Sequence, residues 1–327
     1  MPTPSRPRLS QAIPILLSLT LLGLSMWTLS QELHQHPPRQ VLQSLAAIPH
    51  RYLLMAVGLM VLNYLMLTGY DTLAVRYVQR PIAYAQTALV AIISYAVSRN
   101  IGFTVLSSSA IRYRFYSAWG FSVGKIAQII AFCNLSFWIG LLAIGSILFL
   151  ARPPDVPASL NLPFGSVQPL GVICLAITLG YLGWSGYCHQ KPIRIKQWVL
   201  PAVPLHISLG QIAVTACDWT LVAGILYVLL PNPNPVTFSS FMGIYLLAQV
   251  AGIFSHVPGG LGVFETVIVL MLSPTIATAD LLGALLAYRG IYYLLTLGIA
   301  VIVWFVYEAG RQKRSKNTNS SLSKAED

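Results

Sequence analysis

Apolar positions dominate this chain in long runs, and polar positions gather in short gaps between them. The runs fall near 11–30, 52–70, 82–106, 126–150, 166–188, 203–230, 238–256, 262–273 and 280–308. Most are long enough to cross about 30 Å of hydrocarbon as a helix. Proline-rich gaps, ARPPDVPASLNLPFG and PNPNPV, punctuate the runs, because proline ends helices. The pattern predicts an all-α, polytopic transmembrane helical bundle. Residues 1–310 read as one integral membrane domain, and the polar stretch 311–327 reads as a disordered cytoplasmic tail.

Composition agrees with the pattern. The chain is 56% hydrophobic and 9% charged, with a mean hydropathy of +0.69. A soluble domain carries about 25% charged residues. The four cysteines, Cys133, Cys174, Cys188 and Cys217, lie in or beside apolar runs and show no metal-binding spacing. They read as small packing residues. Arg6 and Arg8 precede the first run in the manner of a signal peptide, but no A-x-A site follows directly. An uncleaved first span is expected.

The net charge is +11. The basic residues sit in short loops rather than on one soluble face, so they read as a topology signal, and nucleic acid is not an expected partner. If every run up to 188 simply crossed from a cytoplasmic N-terminus, two basic loops would fall outside. These are the loops of Arg112, Arg114 and Lys125, and of Lys191, Arg194 and Lys196. The positive-inside rule forbids that placement. It is restored if 82–112 enters, breaks near Arg99-Asn100-Ile101-Gly102 and returns, and if 238–273 does the same at Pro258-Gly259-Gly260. Only Arg39, Arg51 and Arg152 then lie outside, with Arg99 and Arg289 at membrane depth. The expectation is six full crossings and two opposed re-entrant hairpins, with both termini cytoplasmic. Broken backbone at membrane depth must be buried in protein or line a wet cavity.

Four charges remain inside the hydrocarbon: Arg99, Asp218, Glu265 and Arg289. Each costs at least about 2.5–3.5 kcal/mol at the bilayer centre. Mutual pairing between helices is one reason to keep them, and a polar cavity for a charged headgroup is another. The stretch HVPGGLGVFE adds glycines that allow positive φ and a proline that stops the incoming helix. A new half-helix is expected from about Leu261, with its free amides aimed at the break and Glu265 in its first turn. The stretch SSSAIRYRFYSAWG (107–120) offers serine hydroxyls and two arginines to phosphate. His34, His36 and His50 read as solvated, and His256 abuts the second break. GLGVFE lacks the last glycine of a dinucleotide fingerprint and has no strand before it. No HExxH, GxSxG or P-loop occurs, and no metal or cofactor is expected.

Four stretches together resemble the lysylphosphatidylglycerol synthetase membrane-region family. This is the flippase half of the multiple peptide resistance factor, with its stand-alone relatives. The stretches are GYDTLAVRYVQRPIAYAQ (69–86), NIGFTVLSSSAIRYRFYSAWG (100–120), HVPGGLGVFE (256–265) and YRGIYYLL (288–295). Two departures stand out. Ser108 and Ser109 occupy positions where family members often carry glycine. The chain also ends at Asp327 without the soluble aminoacyl-transferase domain of the bifunctional members. The resemblance implies lipid translocation or lipid handling in a bacterial-type inner membrane, with membrane lipids as partners, and not aminoacylation by this chain; the expectation is that it is not an enzyme, with an intramembrane transferase left open. Arg99, Asn100, Ser108 and Arg112, with Gly259, Gly260 and Gly262, would hold a headgroup phosphate. Asp218, Glu265 and Arg289 would form a charge network, with Arg289 on Glu265 in the empty state. The alternative is a membrane-embedded transferase, or a non-transporting partner subunit of a lipid- or glycan-modifying enzyme on a separate chain. A homo-oligomer stays open.

Overall fold

The computed structural model describes residues 38–101, 104–153, 166–187, 193–195, 198–200, 203–231, 235–255 and 257–310. The expected first span (11–30), the polar tail (311–327), Gly102, Cys188 and His256 lie outside them. A short helix α1 (Pro38–Ala47) leads into α2 (His50–Tyr77), α3 (Tyr84–Ile101), α4 (Thr104–Ala118), α5 (Val123–Ala151) and α6 (Gln168–Tyr187). A two-stranded ribbon follows, in which Ile193–Ile195 pairs antiparallel with Trp198–Leu200. Then come α7 (Leu205–Tyr227), α8 (Phe238–Phe254), a single 3₁₀ turn (Pro258–Gly260) and α9 (Val263–Leu272). The last helix, α10, runs Thr278–Gly310.

Among the described residues, five helices are long and apolar enough to cross a membrane: α2, α5, α6, α7 and α10. Each matches one of the long apolar runs. Their outward faces carry exposed Leu54, Val61, Ile147, Leu179, Ile302 and Phe305. In water such a belt would be a liability, and in lipid it faces like solvent. The ribbon is the one β element among the described residues, and it falls in the basic gap after α6.

The two broken hairpins are present. In the run 82–106, α3 ends at Ile101 and α4 begins at Thr104, and the two pack on each other; in 238–273, α8 ends at Phe254 and α9 begins at Val263, and these also pack together. The second break has its origin in the backbone: Gly259, Gly260 and Gly262 have φ of 62°, 62° and 80°. L-residues with a Cβ pay to occupy that region.

Helix α2 lies along α7, and small residues set the approach. A Cβ on Gly69 would sit 3.0 Å from Val214 Cγ1, and one on Gly140 of α5 would overlap Thr215 of α7. Without a hydrophobic drive in lipid, such close contact and interhelical hydrogen bonds hold helices together. The bonds are there. Gln211 Nε2 of α7 donates to Ser136 Oγ of α5 at 2.7 Å. The Tyr181 hydroxyl of α6 donates to Gln211 Oε1.

Candidate functional site

Both breaks and the last helix converge on one place. A Cβ added to Gly259 would stand 3.3 Å from the Arg99 carbonyl oxygen, so the end of α3 touches the 3₁₀ turn. Opposite them α10 departs from regular helix: Arg289–Leu295 forms a π-helical segment. Such segments gather at functional positions. The Tyr293 carbonyl accepts from Asn100 Nδ2 at 3.2 Å and from Thr296 Oγ1 at 3.0 Å. Asn100 also donates to the Ala96 carbonyl at 2.8 Å. Its side chain therefore ties the first break to the π segment.

Arg289 and Glu265 meet as expected. Arg289 Nε donates to Glu265 Oε1 at 2.7 Å, and Nη2 lies 2.6 Å from the same oxygen. Arg289 Nη1 donates to the Gly259 carbonyl at 2.8 Å. Glu265 Oε2 accepts the Gly262 amide at 2.8 Å, which caps the half-helix. The half-helix starts at Val263 rather than near Leu261, because Leu261 and Gly262 are spent in the turn. Glu265 thus serves as cap and counter-ion at once, and one of the amides expected to face a ligand is already taken.

Arg99 and Asp218 form a looser pair. Nη2 of Arg99 lies 3.8 Å from Asp218 Oδ1. Asp218 is held more tightly from α2, by Asn63 Nδ2 at 2.7 Å and the Tyr70 hydroxyl at 2.8 Å. The Tyr292 hydroxyl donates to Asn63 Oδ1 at 3.0 Å, which links α10 to the same network. The Arg99 guanidinium stacks over the Tyr292 ring at 4.7 Å. A cation beside aromatic faces is stabilised where water is scarce.

These groups border a cavity of about 370 Å³. Arg99, Asp218, Gly259 and Gly260 line it, together with Trp219, Tyr245 and Gln249. Gln249 Nε2 donates to the Tyr245 hydroxyl at 2.7 Å, which in turn shares a hydrogen bond with the Tyr288 hydroxyl at 2.8 Å. Val105 and Leu106, in the first turn of α4, line the same cavity while being largely exposed on the bundle surface. Among the described residues no three His, Cys, Asp or Glu side chains gather as metal ligands.

Four expected phosphate contacts, Asn100, Ser108, Arg112 and Gly262, do not line the cavity. Arg112 is 1% exposed. Its Nε and Nη2 grip Asp71 Oδ1 and Oδ2 at 2.9 and 2.8 Å, and the Tyr116 hydroxyl adds a third bond to Asp71 at 2.9 Å. It is a buried structural cation, where the loop reading had placed it at a cytoplasmic edge. Ser108 is buried too, and its hydroxyl returns to the Val105 carbonyl at 3.3 Å. Gly262 gives its amide to Glu265. Of the other neighbours, Arg114 leaves the bundle to meet Glu308 at 3.4 Å and covers Trp304. Sequence reasoning missed Asp71, Asn63 and the tyrosines. Asp71 sat just past the expected end of its span, and an unpaired acid beside an apolar run was the signal.

With this geometry in hand, the likenesses to known proteins become informative. Residues 12–300 match the family profile for the lysylphosphatidylglycerol synthase TM region. Protein slr0712 of Synechocystis sp. is 47% identical over 96% of this chain and 97% of its own length. The inner membrane protein YbhN of Escherichia coli is 30% identical over 81% of this chain and 83% of its own. A phosphatidylglycerol lysyltransferase of Staphylococcus xylosus is 26% identical over 91% of this chain but only 34% of its own length, so the likeness covers about a third of that enzyme. By the extent of that profile match, and by its identity to slr0712 and YbhN, the chain belongs to the family of the lysylphosphatidylglycerol synthase transmembrane region.

Proposed function

We propose that this chain is a lipid translocase, and that its cavity receives the headgroup of a phospholipid, aminoacylated lipid or polyprenyl-linked lipid. One observation carries the reading. Two broken hairpins meet at a charged cavity inside the apolar bundle, and one wall of that cavity is formed by Val105 and Leu106, which also face the surroundings. A headgroup can lie against Arg99 and Asp218 while its acyl chains stay in the bilayer. Broken helices that face a midplane site are a recurrent device of transporters. Glu265 and Arg289 neutralise each other when the cavity is empty, which lowers the cost of holding both in lipid. The likeness to an Escherichia coli protein named as an inner membrane protein supports a bacterial inner membrane. The distribution of basic loops supports cytoplasmic termini. The chain acts on lipids without itself transferring a group.

The likeness to a third of a phosphatidylglycerol lysyltransferase favours a second reading, a membrane partner of a lipid-modifying enzyme on another chain. Reconstitution separates the two. Vesicles that contain the full chain should exchange fluorescent phosphatidylglycerol, or its aminoacyl derivative, between leaflets faster than empty vesicles. Arg99→Ala and Glu265→Gln should slow that exchange while the protein stays folded. Absence of exchange for every lipid tested would favour the partner reading.

A further inference from the structure

One stretch of α10 carries the ties of both breaks. Arg289 opens the π segment, and its side chain spans the second break. Its Nη1 donates to the Gly259 carbonyl on the turn at 2.8 Å, and its Nε donates to Glu265 of α9 at 2.7 Å. Four residues further on, the Tyr293 carbonyl accepts Asn100 Nδ2, from the end of α3, at 3.2 Å. Tyr292 lies between these two ties, and the Arg99 guanidinium stacks on its ring at 4.7 Å. The breaks also touch directly, where a Cβ on Gly259 would stand 3.3 Å from the Arg99 carbonyl oxygen. Neither break can move far without disturbing the same few residues of α10.

Those residues suit a part that rewinds. A π segment trades bonds to the fourth residue for bonds to the fifth, and such segments are frequent at functional positions. Gly290, Ile291, Tyr292 and Tyr293, in its middle, are weaker helix formers than Ala, Leu or Arg. A Cβ on Gly290 would meet nothing within 4 Å beyond its chain neighbours and its own helix backbone, so packing does not demand a glycine there. What glycine supplies at that position is a looser backbone.

We propose that Arg289–Leu295 is a clasp that holds both hairpin breaks in place together, so that they loosen as one event. Arg99, Gly259 and Gly260, which line the cavity, would then shift as a unit. Coupling between two places requires an element with two arrangements that both of them bias, and the π segment, with a regular helix as its alternative, supplies it. The clasp goes beyond the translocase reading and holds whichever group enters the cavity.

Hydrogen exchange on the purified full chain in detergent tests the clasp. The first break is read at the amides of Ser98–Ile101, at the end of α3. The second is read at the amides of Gly260 and Gly262, which donate to the Val257 carbonyl at 2.9 Å and to Glu265 Oε2 at 2.8 Å. Asn100→Ala removes a tie of the first break alone. It should speed exchange at both breaks, by about twofold or more at the second, and leave the amides of α5 unchanged. Gly290→Ala removes no contact with either break and stiffens the segment, so it should slow exchange at both. Asn100→Ala that speeds only the end of α3, or Gly290→Ala that leaves both breaks as in wild type, would overturn the clasp. Should Asn100→Ala fail to fold, Gly290→Ala decides alone. If the breaks respond together in a chain that moves no lipid between leaflets, the clasp stands and the translocase reading falls. If lipid moves and the breaks respond separately, the reverse holds.

Discussion

Arg112 holds Asp71 through two nitrogen atoms at 2.9 and 2.8 Å, and neither side chain reaches solvent. The pair fastens α4 to α2. Removing one member leaves a bare charge in the interior, at a cost of about 3–5 kcal/mol. Arg112→Met or Asp71→Leu alone should therefore reduce folded yield and lower the melting temperature in detergent. The double variant Asp71→Leu with Arg112→Met should recover most of that loss. Additive losses would show that the two do not act as a pair.

Glu265 has two partners, and the substitutions can be ranked. Glu265→Gln keeps an oxygen for the Gly262 amide but gives up the charge facing Arg289. Glu265→Ala takes the carboxylate from both, and leaves Arg289 only the Gly259 carbonyl. Thermal unfolding should place Glu265→Gln between wild type and Glu265→Ala. Equal melting temperatures for Gln and Ala would mean the amide cap contributes nothing.

Gly259 sits at φ 62° with the Arg99 carbonyl oxygen 3.3 Å from where a Cβ would be. Gly259→Ala should cost about 1–2 kcal/mol in backbone strain alone. It should also press on the contact between the two breaks. Slower lipid exchange is expected together with reduced stability. A fully active, fully stable Gly259→Ala would remove the reason for glycine there.

Gly140→Ala should force α5 away from α7, since the new methyl would overlap Thr215. Overpacking of this kind costs about 1–3 kcal/mol. The measurement is the melting temperature, and no change would mean that the α5–α7 spacing is soft.

The expected topology places Lys125 on the cytoplasmic side and Arg152 on the other. Single cysteines at those positions, in a background without native cysteines, should react with an impermeant thiol reagent from opposite sides. Labelling of Lys125 from outside and of Arg152 from the cytoplasmic side would sink the re-entrant arrangement of α3 and α4.

The bundle was legible because span length and loop charge are one-dimensional signals. Run lengths alone placed α2, α5, α6, α7 and α10, and the glycines of 259–262 marked the second break. The partners of the buried charges were less accessible. Arg289 with Glu265 followed from charge balance at membrane depth. Arg112 did not, because it lies among Arg114 and several aromatics in a stretch that reads as an interface. Only the fold of α4 back onto α3, which itself packs on α2, brings it to Asp71, a residue 41 positions away.

The π segment at Arg289–Leu295 also has a geometric consequence for the far end of α10. An ordinary helix advances roughly 100° per residue, and a bond to the fifth residue instead of the fourth absorbs one extra position. The segment acts as a phase shifter. It lets one helix turn Arg289 toward the second break and, further along, present Trp304 to Phe115 and Glu308 to Arg114. Winding the same residues as a uniform helix would swing Trp304 and Glu308 by about a quarter turn, so that α10 could satisfy the cavity or its contact with α4, but not both.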